Sequence, residues 1–160
     1  MSNLPGKRGA RITVAALILI SDQILKFLFY NKGLIKEELT LIKGLIYIVP
    51  ASQNPGIAFG LFQEHGRLFI IPASIVILFL LFLYLRTSNA KTLFKWGLLL
   101  ILTGALGNLI DRIIYGFVLD YLLLNKFPYS FNIADTSILT GVGLIMINIM
   151  KDKRREIRNT

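Results

Sequence analysis

The composition of the 160-residue chain excludes an ordinary soluble protein, because hydrophobic residues make up 54% of it and charged residues only 17%. Soluble domains carry about 25% charged residues. The formal net charge of +9 would suit a nucleic-acid partner, but the Lys and Arg residues interrupt long apolar runs, as in membrane proteins. With no cysteine and one histidine, His65, we expect neither a cofactor nor a metal site. The length suits a single domain.

Four segments are apolar and close to the roughly 20 residues that a membrane-spanning helix needs. They lie at about 12–30, 68–85, 93–114 and 133–150. A cleaved signal peptide is an alternative for the first segment, but Asp22 and Lys26 interrupt it and no small-residue cleavage site follows. The predicted fold class is therefore a membrane all-α bundle of four transmembrane helices.

The distribution of basic residues predicts the orientation, because Lys and Arg concentrate on the cytoplasmic side of a membrane. Both termini and the connection between the second and third spans lie on one side and carry Lys7, Arg8, Arg11, Arg86, Lys91, Lys95, Lys151, Lys153, Arg154, Arg155 and Arg158. The other side carries Lys32, Lys36, Lys43, Arg67 and Lys126. We therefore expect both termini inside, with the basic tails against anionic membrane lipids rather than nucleic acid.

This orientation makes the loops at about 31–67 and 115–132 extracytoplasmic. Within the first loop, residues 39–49 alternate imperfectly and are rich in Ile, Leu and Val, which predicts a short strand or hairpin closed by Pro50. So much apolar surface outside the spans predicts a small β platform between helices 1 and 2. The platform lies on the membrane or packs over the helices.

Asp22 and Lys26 are charged residues inside the first span, where charges are costly and often functional. Their i, i+4 spacing places them on one helix face. We interpret them as a mutually neutralising pair that supports the bundle, because the lysine would hold the aspartate as a carboxylate.

Asn108 and Arg112 share a face near the outer end of the third span, and Asp111 is predicted to point aside. Arg112 either extends to the membrane interface or holds oxygen atoms of a substrate. The small residues between Thr103 and Gly107 favour close helix packing.

Asp120 and Asp135 are the strongest candidates for catalysis. Asp120 lies in an apolar run beyond the third span, and Asp135 lies where the fourth helix begins. Asn132 precedes Asp135 by three residues, so a helix-capping pair is an alternative role for Asp135. Both aspartates are predicted at the outer membrane surface, close enough in sequence to meet.

Two carboxyls in a partly desolvated site share one proton, and such a pair can activate water and protonate a leaving group. A helix N-terminus favours an anion. We therefore hypothesise that Asp135 is ionised and Asp120 protonated at rest.

A further polar cluster, QNPGIAFG at 53–60, precedes the second span. Its Asn-Pro-Gly sequence is typical of a turn. Asn54 can also offer its amide to a substrate backbone or to the carboxylates, and spacing does not decide between these roles.

Taken together, these motifs resemble the bacterial lipoprotein signal peptidases, or signal peptidase II. Five blocks keep the family's order along nearly the whole chain: SDQILK at 21–26, QNPGIAFG at 53–60, GALGNLIDR at 104–112, VLDY at 118–121 and FNIADTSI at 131–138. The sequence departs from the family pattern at Pro55 and Thr103, and neither departure touches an acidic position.

The resemblance implies an aspartic endopeptidase of the cytoplasmic membrane that removes the signal peptide of diacylglyceryl-modified prolipoproteins, cutting before the lipidated cysteine. The resemblance also implies that Asp120 and Asp135 form the catalytic pair. The positions implied to line the substrate pocket are Asn54, Gly56, Asn108, Arg112 and Asn132, with Asp22 and Lys26 as structural support. Nothing in the sequence requires more than a monomer.

Three other functions make different predictions. A small transporter would line a continuous polar path with Asp22 and Lys26. A non-catalytic assembly factor would tolerate Asp120→Asn. A serine-type intramembrane protease would need a Ser–His pair, for which the chain offers no plausible candidate.

Overall fold

The computed structural model describes residues 5–54, 66–88, 92–125 and 129–158. Within these ranges, four helices accompany one antiparallel sheet. The helices are α1 Pro5–Lys26, which continues as a π-helical turn Phe27–Asn31; α2 Ile70–Arg86, preceded by a 3₁₀ turn Gly66–Phe69; α3 Thr92–Ile114; and α4 Ile133–Arg158.

All four helices are long and apolar enough to cross a membrane. The apolar side chains of α2 in particular face outward, with Ile71 71% and Leu78 65% exposed. Such a surface is suited to contact with lipid. The predicted bundle of four transmembrane helices is confirmed, and the chain is a multi-pass membrane protein.

The fourth helix extends past the predicted boundary at residue 150 to Arg158. The added residues are mostly charged and have high helix propensity, and basic side chains near a helix C-terminus interact favourably with the helix dipole.

The sheet unites both long connections between the helices. Strands β1 Leu39–Ile42 and β2 Ile46–Asn54 come from the connection between α1 and α2, which confirms the predicted β platform. Strands β3 Val118–Leu124 and β4 Ser130–Phe131 come from the connection between α3 and α4 and were not predicted. The order is β1-β2-β3-β4. Because β3 is buried on both faces for its first four residues, it lacks the polar alternation that reveals a half-exposed strand.

The prediction that Pro50 closes the strand is wrong, because β2 continues through it to Asn54. The pairing of β2 with β3 shifts between Ile48 and Ser52. A bulge of this kind accommodates a residue that has no N–H to donate to the ladder. The turn into β2 instead contains Gly44, whose φ of 73° favours glycine.

The core lies around α3, which packs most extensively against α4. Glycines allow the two backbones to approach. A Cβ at Gly97 would lie 2.7 Å from the carbonyl oxygen of Gly141, and a Cβ at Gly104 would overlap the carbonyl oxygen of Ala134. The small residues therefore serve close helix packing, as predicted.

We expect Gly104→Ala to lower the stability of the protein by about 1–3 kcal/mol, because the new methyl group would push α4 away from α3. Gly143→Ala is the matched control, since a Cβ at Gly143 meets nothing within 4 Å. Thermal unfolding in detergent measures both variants. Equal midpoints for the two variants would contradict this account of the interface.

Candidate functional site

Asp120 lies in β3, opposite Ser52 of β2, and is 2% exposed. Asn54 lies two residues beyond Ser52, so its side chain is on the same face of the sheet as the carboxyl of Asp120. The Asn54 Nδ2 donates to Asp120 Oδ2 at 2.9 Å, and the Asn132 Nδ2 donates to Asp120 Oδ1 at 2.8 Å. Both carboxyl oxygens of Asp120 therefore accept an amide hydrogen bond.

Asp135 lies in the first turn of α4 and forms a reciprocal cap with Asn132. The backbone N–H of Asp135 donates to Asn132 Oδ1 at 2.8 Å, and the backbone N–H of Asn132 donates to Asp135 Oδ2 at 3.2 Å. This is the predicted capping pair. The other oxygen, Asp135 Oδ1, accepts a hydrogen bond from Asn108 Nδ2 at 2.7 Å. The capping role thus coexists with a contact to α3.

Asn132 joins the two acidic residues. Its carboxamide is completely buried and contacts Asp120 through Nδ2 and the backbone of Asp135 through Oδ1. The same Nδ2 group also lies 3.2 Å from Asn108 Oδ1 and from the carbonyl oxygen of Leu119. The two carboxyls therefore converge on one asparagine at the junction of the sheet with α3 and α4.

Burial raises the pKa of Asp120 to about 6, and repulsion from Asp135 acts in the same direction. The hydrogen bonds from Asn54 and Asn132 oppose this rise in the pKa because they stabilise the carboxylate. The proximity of a second acid and a raised pKa are typical of carboxyl groups that take part in proton transfer.

Asp22 and Lys26 form the predicted ion pair, with 2.7 Å between Lys26 Nζ and Asp22 Oδ2. Lys26 Nζ also lies 2.7 Å from Asp111 Oδ2. The three side chains, which we call the charge cluster, are each at most 1% exposed. The structure thus brings the predicted pair together in a buried place among the described residues, and its role as structural support stays a prediction.

The prediction that Asp111 points aside is wrong. Asp111 follows Gly107 by one helical turn. The Asp22 side chain approaches α3 closely at Gly107, where an added Cβ would lie 3.1 Å from Asp22 Oδ2. The packing of α1 on this face brings Asp111 to Lys26. Asp111 also accepts hydrogen bonds from Gln23 Nε2 at 3.1 Å and from the backbone N–H of Leu119 at 3.1 Å, which anchors the start of β3.

Tyr121 is a second residue that the sequence did not reveal. Its ring is buried edge-on against Phe29, and its hydroxyl donates to Asp22 Oδ1 at 3.4 Å. Burial raises the pKa of Tyr121 well above its usual range, so the phenol remains a proton donor. No local pattern marks this tyrosine, because its partner is 99 residues away in sequence.

Among the remaining predicted site residues, Asn108 is buried and Arg112 is partly buried one turn later on α3. Arg112 Nη1 donates to the carbonyl oxygen of Asn108 at 3.3 Å, and its guanidinium is attracted by Asp111, Asp120 and Asp135. Gly56 lies outside the described residues.

Comparison with known proteins gives consistent matches over most of the chain. The family model for signal peptidase (SPase) II matches residues 14–151. The lipoprotein signal peptidase of Syntrophomonas wolfei subsp. wolfei is 42% identical over 143 residues, which cover 89% of this chain and 94% of that protein. The lipoprotein signal peptidase of Halothermothrix orenii is 36% identical over 142 residues, which cover 88% of this chain and 95% of that protein.

A solved structure is similar to most of the fold. A bacterial membrane enzyme determined by the in meso method at 2.3 Å resolution has a TM-score of 0.80 and 31% sequence identity, with 91% of this chain and 90% of that chain covered.

The raised pKa of Asp120 makes stability depend on pH. In the unfolded chain this carboxyl ionises near its ordinary value of 3.8, whereas in the folded protein it ionises near 6. Its contribution to stability is therefore complete below about pH 4 and is lost as the pH rises through about 6. As the pH rises across this interval, we expect the free energy of unfolding of wild type to fall by about 1–3 kcal/mol relative to that of Asp120→Asn.

Thermal unfolding from pH 4 to pH 8 tests this expectation. Asp152→Asn, in the exposed last part of α4, is the control and should keep the wild-type slope. Parallel curves for wild type and Asp120→Asn would show that burial of Asp120 does not cost stability.

Proposed function

The chain belongs to the signal peptidase II family, whose members remove signal peptides from prolipoproteins, and we propose that it does so as an aspartic endopeptidase with Asp120 and Asp135 as the catalytic pair. The observation that carries the proposal is the convergence of the buried Asp120 carboxyl and the partly buried Asp135 carboxyl on Asn132. The substrate class is a prolipoprotein whose cysteine bears diacylglyceryl, and cleavage occurs just before that cysteine.

In the proposed reaction, one carboxylate accepts a proton from a water molecule as its oxygen attacks the scissile carbonyl carbon. The other carboxyl gives its proton to the leaving nitrogen, and the carbon–nitrogen bond breaks. The net reaction consumes one water molecule and returns one proton to the pair. Two acids that differ in proton affinity suffice for both steps.

We assign the resting proton to Asp120 and the negative charge to Asp135. The raised pKa of Asp120 means that it holds a proton below about pH 6 in the free protein, and bound substrate would exclude more water and raise that pKa further, toward neutral pH. The second assignment is supported by the position of Asp135 in the first turn of α4, where the helix dipole favours an anion.

Substrate binding is proposed for Asn54, Gly56, Asn108, Arg112 and Asn132. Asn54 is the residue best suited to respond to a substrate, because its amide contacts Asp120 from the last position of β2. When a substrate binds, the Asn54 amide can release the Asp120 carboxyl and donate its hydrogen bond to a carbonyl oxygen of the substrate instead. Arg112 offers a guanidinium that can hold the oxygen atoms of the substrate backbone.

The lipid anchor of the substrate would fix the depth of the scissile bond. The excess of basic residues at both termini supports an orientation with the termini in the cytoplasm and the pair at the extracytoplasmic surface of the cytoplasmic membrane. With the acyl chains in the bilayer, the peptide bond reaches the carboxyls at a defined height. Such positioning lowers the barrier without a covalent intermediate. A monomer is sufficient for this mechanism.

We expect Asp120→Asn and Asp135→Asn each to lower kcat by about 10²–10⁴-fold, because each removes one of the two proton-transfer groups. The assay is cleavage of a diacylglyceryl-modified prolipoprotein by the purified protein. Asp152→Asn, a carboxyl-to-amide change far along α4, should cleave like wild type. Undiminished turnover by either active-site variant would rule out the catalytic pair.

The proton assignment has a separate spectroscopic test. Infrared titration of the carboxyl bands should show that the protonated carboxyl of wild type is absent in Asp120→Asn and present in Asp135→Asn. The reverse pattern would make Asp135 the proton holder.

A further inference from the structure

Lys26 contacts more than its two acidic partners. Its Nζ also donates to Asn108 Oδ1 at 3.3 Å, in addition to its contacts with Asp22 Oδ2 and Asp111 Oδ2. A lysine ammonium has three N–H donors and no acceptor. These three oxygens therefore use its complete donor capacity, and one of them belongs to a residue that touches Asp135.

The contact with Lys26 decides the orientation of the Asn108 carboxamide. An ammonium can face only the oxygen of an amide, because the NH₂ group would present a second donor. Asn132 Nδ2, also a donor, lies 3.2 Å from the same Oδ1. With its oxygen held by two donors, the amide directs Nδ2 to Asp135 Oδ1 at 2.7 Å.

The opposite orientation would harm the site. If the Asn108 amide were rotated by half a turn, its oxygen would face the Asp135 carboxylate and its NH₂ group would face Lys26 and Asn132. An acceptor would then oppose an acceptor and donors would oppose donors. Asn108, Lys26 and Asn132 are buried, and unpaired polar groups are costly there. The charge of Lys26 also polarises the amide, which strengthens the hydrogen bond to Asp135.

We propose that Lys26 is a positioning residue for the cleavage reaction, which acts on Asp135 through the carboxamide of Asn108. The inference rests on the proposed function, because it assigns to Lys26 a part in the chemistry of that acid pair. Lys26 does not reach the substrate, since it is 1% exposed beneath the site. Its effect should therefore appear mainly in kcat, and KM should change only as far as the proposed contact of Asn108 with the substrate changes.

Removing Lys26 alone would leave two buried carboxylates uncompensated, which commonly destabilises a protein strongly. The test variant is therefore Lys26→Met combined with Asp111→Asn. Wild type has one cation and two carboxylates in the charge cluster, and the double variant keeps one carboxylate, so both have one net negative charge. The asparagine at 111 can still accept the hydrogen bond from the N–H of Leu119.

We expect this variant to lower kcat by about 10–100-fold with little change in KM, as is common when a residue behind a reactive group is removed. Asp111→Asn alone should retain most of the activity, because Lys26 remains on Asn108. Lys95→Met is a matched control for the loss of a buried lysine, because Lys95 lies at the other end of α3 and donates to the carbonyl oxygen of Thr87. It should lower the unfolding temperature without lowering kcat.

A double-mutant cycle separates positioning from general support. In an Asn108→Ala background, Lys26→Met combined with Asp111→Asn should lower kcat by no more than about 2–3-fold, because the amide that transmits the effect is absent. The proposal would be overturned if the Lys26 replacement lowered kcat by the same factor with and without Asn108. It would also be overturned if the Lys26 variant had wild-type kcat. Active Asp120→Asn and Asp135→Asn proteins would instead refute the catalytic pair, so the two failures are distinguishable.

Discussion

Asn132 is the residue on which the geometry of the site depends. Its position at the N-terminus of α4 lets its side-chain oxygen accept the N–H of Asp135, while its NH₂ group faces Asp120 and Asn108. One rigid side chain thus ties the first turn of α4 to strand β3 and to helix α3. Because the carboxamide is fully buried, any other orientation would leave donors and acceptors unpaired. The relative placement of the two acidic residues therefore depends on two contacts of Asn132, the cap to Asp135 and the hydrogen bond to Asp120.

The charge cluster beneath the site shows how a membrane protein can keep ionised groups in its interior. An isolated buried charge costs several kcal/mol, and this cost is offset only when the partners are close and fully hydrogen-bonded. Lys26 meets this condition with two carboxylates at 2.7 Å, and Asp111 further binds the backbone of β3. The cluster consequently supports the sheet as well as the helices. The glycines of α3 make it possible, because they bring α1 and α4 close to the same helix.

Much of the fold could be predicted because it depends on local properties. Hydrophobic segments of sufficient length specify the four helices, and the pattern of residues 39–49 specifies a β segment. The Asn132–Asp135 cap has a spacing of three residues and is visible in the sequence. Strand β3 was missed because a strand buried on both faces has the same apolar appearance as the end of a helix. Pro50 was misinterpreted because its effect on a strand depends on a bulge, which is formed with a neighbouring strand.

The sequence by itself determined the number of spanning helices, the membrane setting, the family resemblance and the acidic and amide residues of the candidate site. Only the tertiary structure decided that Asp111 shares Lys26 with Asp22, that Tyr121 supports Asp22, and that Lys26 reaches Asn108. The physical reason is the separation of the partners along the chain, which is 82 residues for Lys26 and Asn108 and 99 for Tyr121 and Asp22. Helical periodicity fixes which residues share a helix face. Which helix or strand packs against that face depends on how closely the glycine-lined helices approach one another.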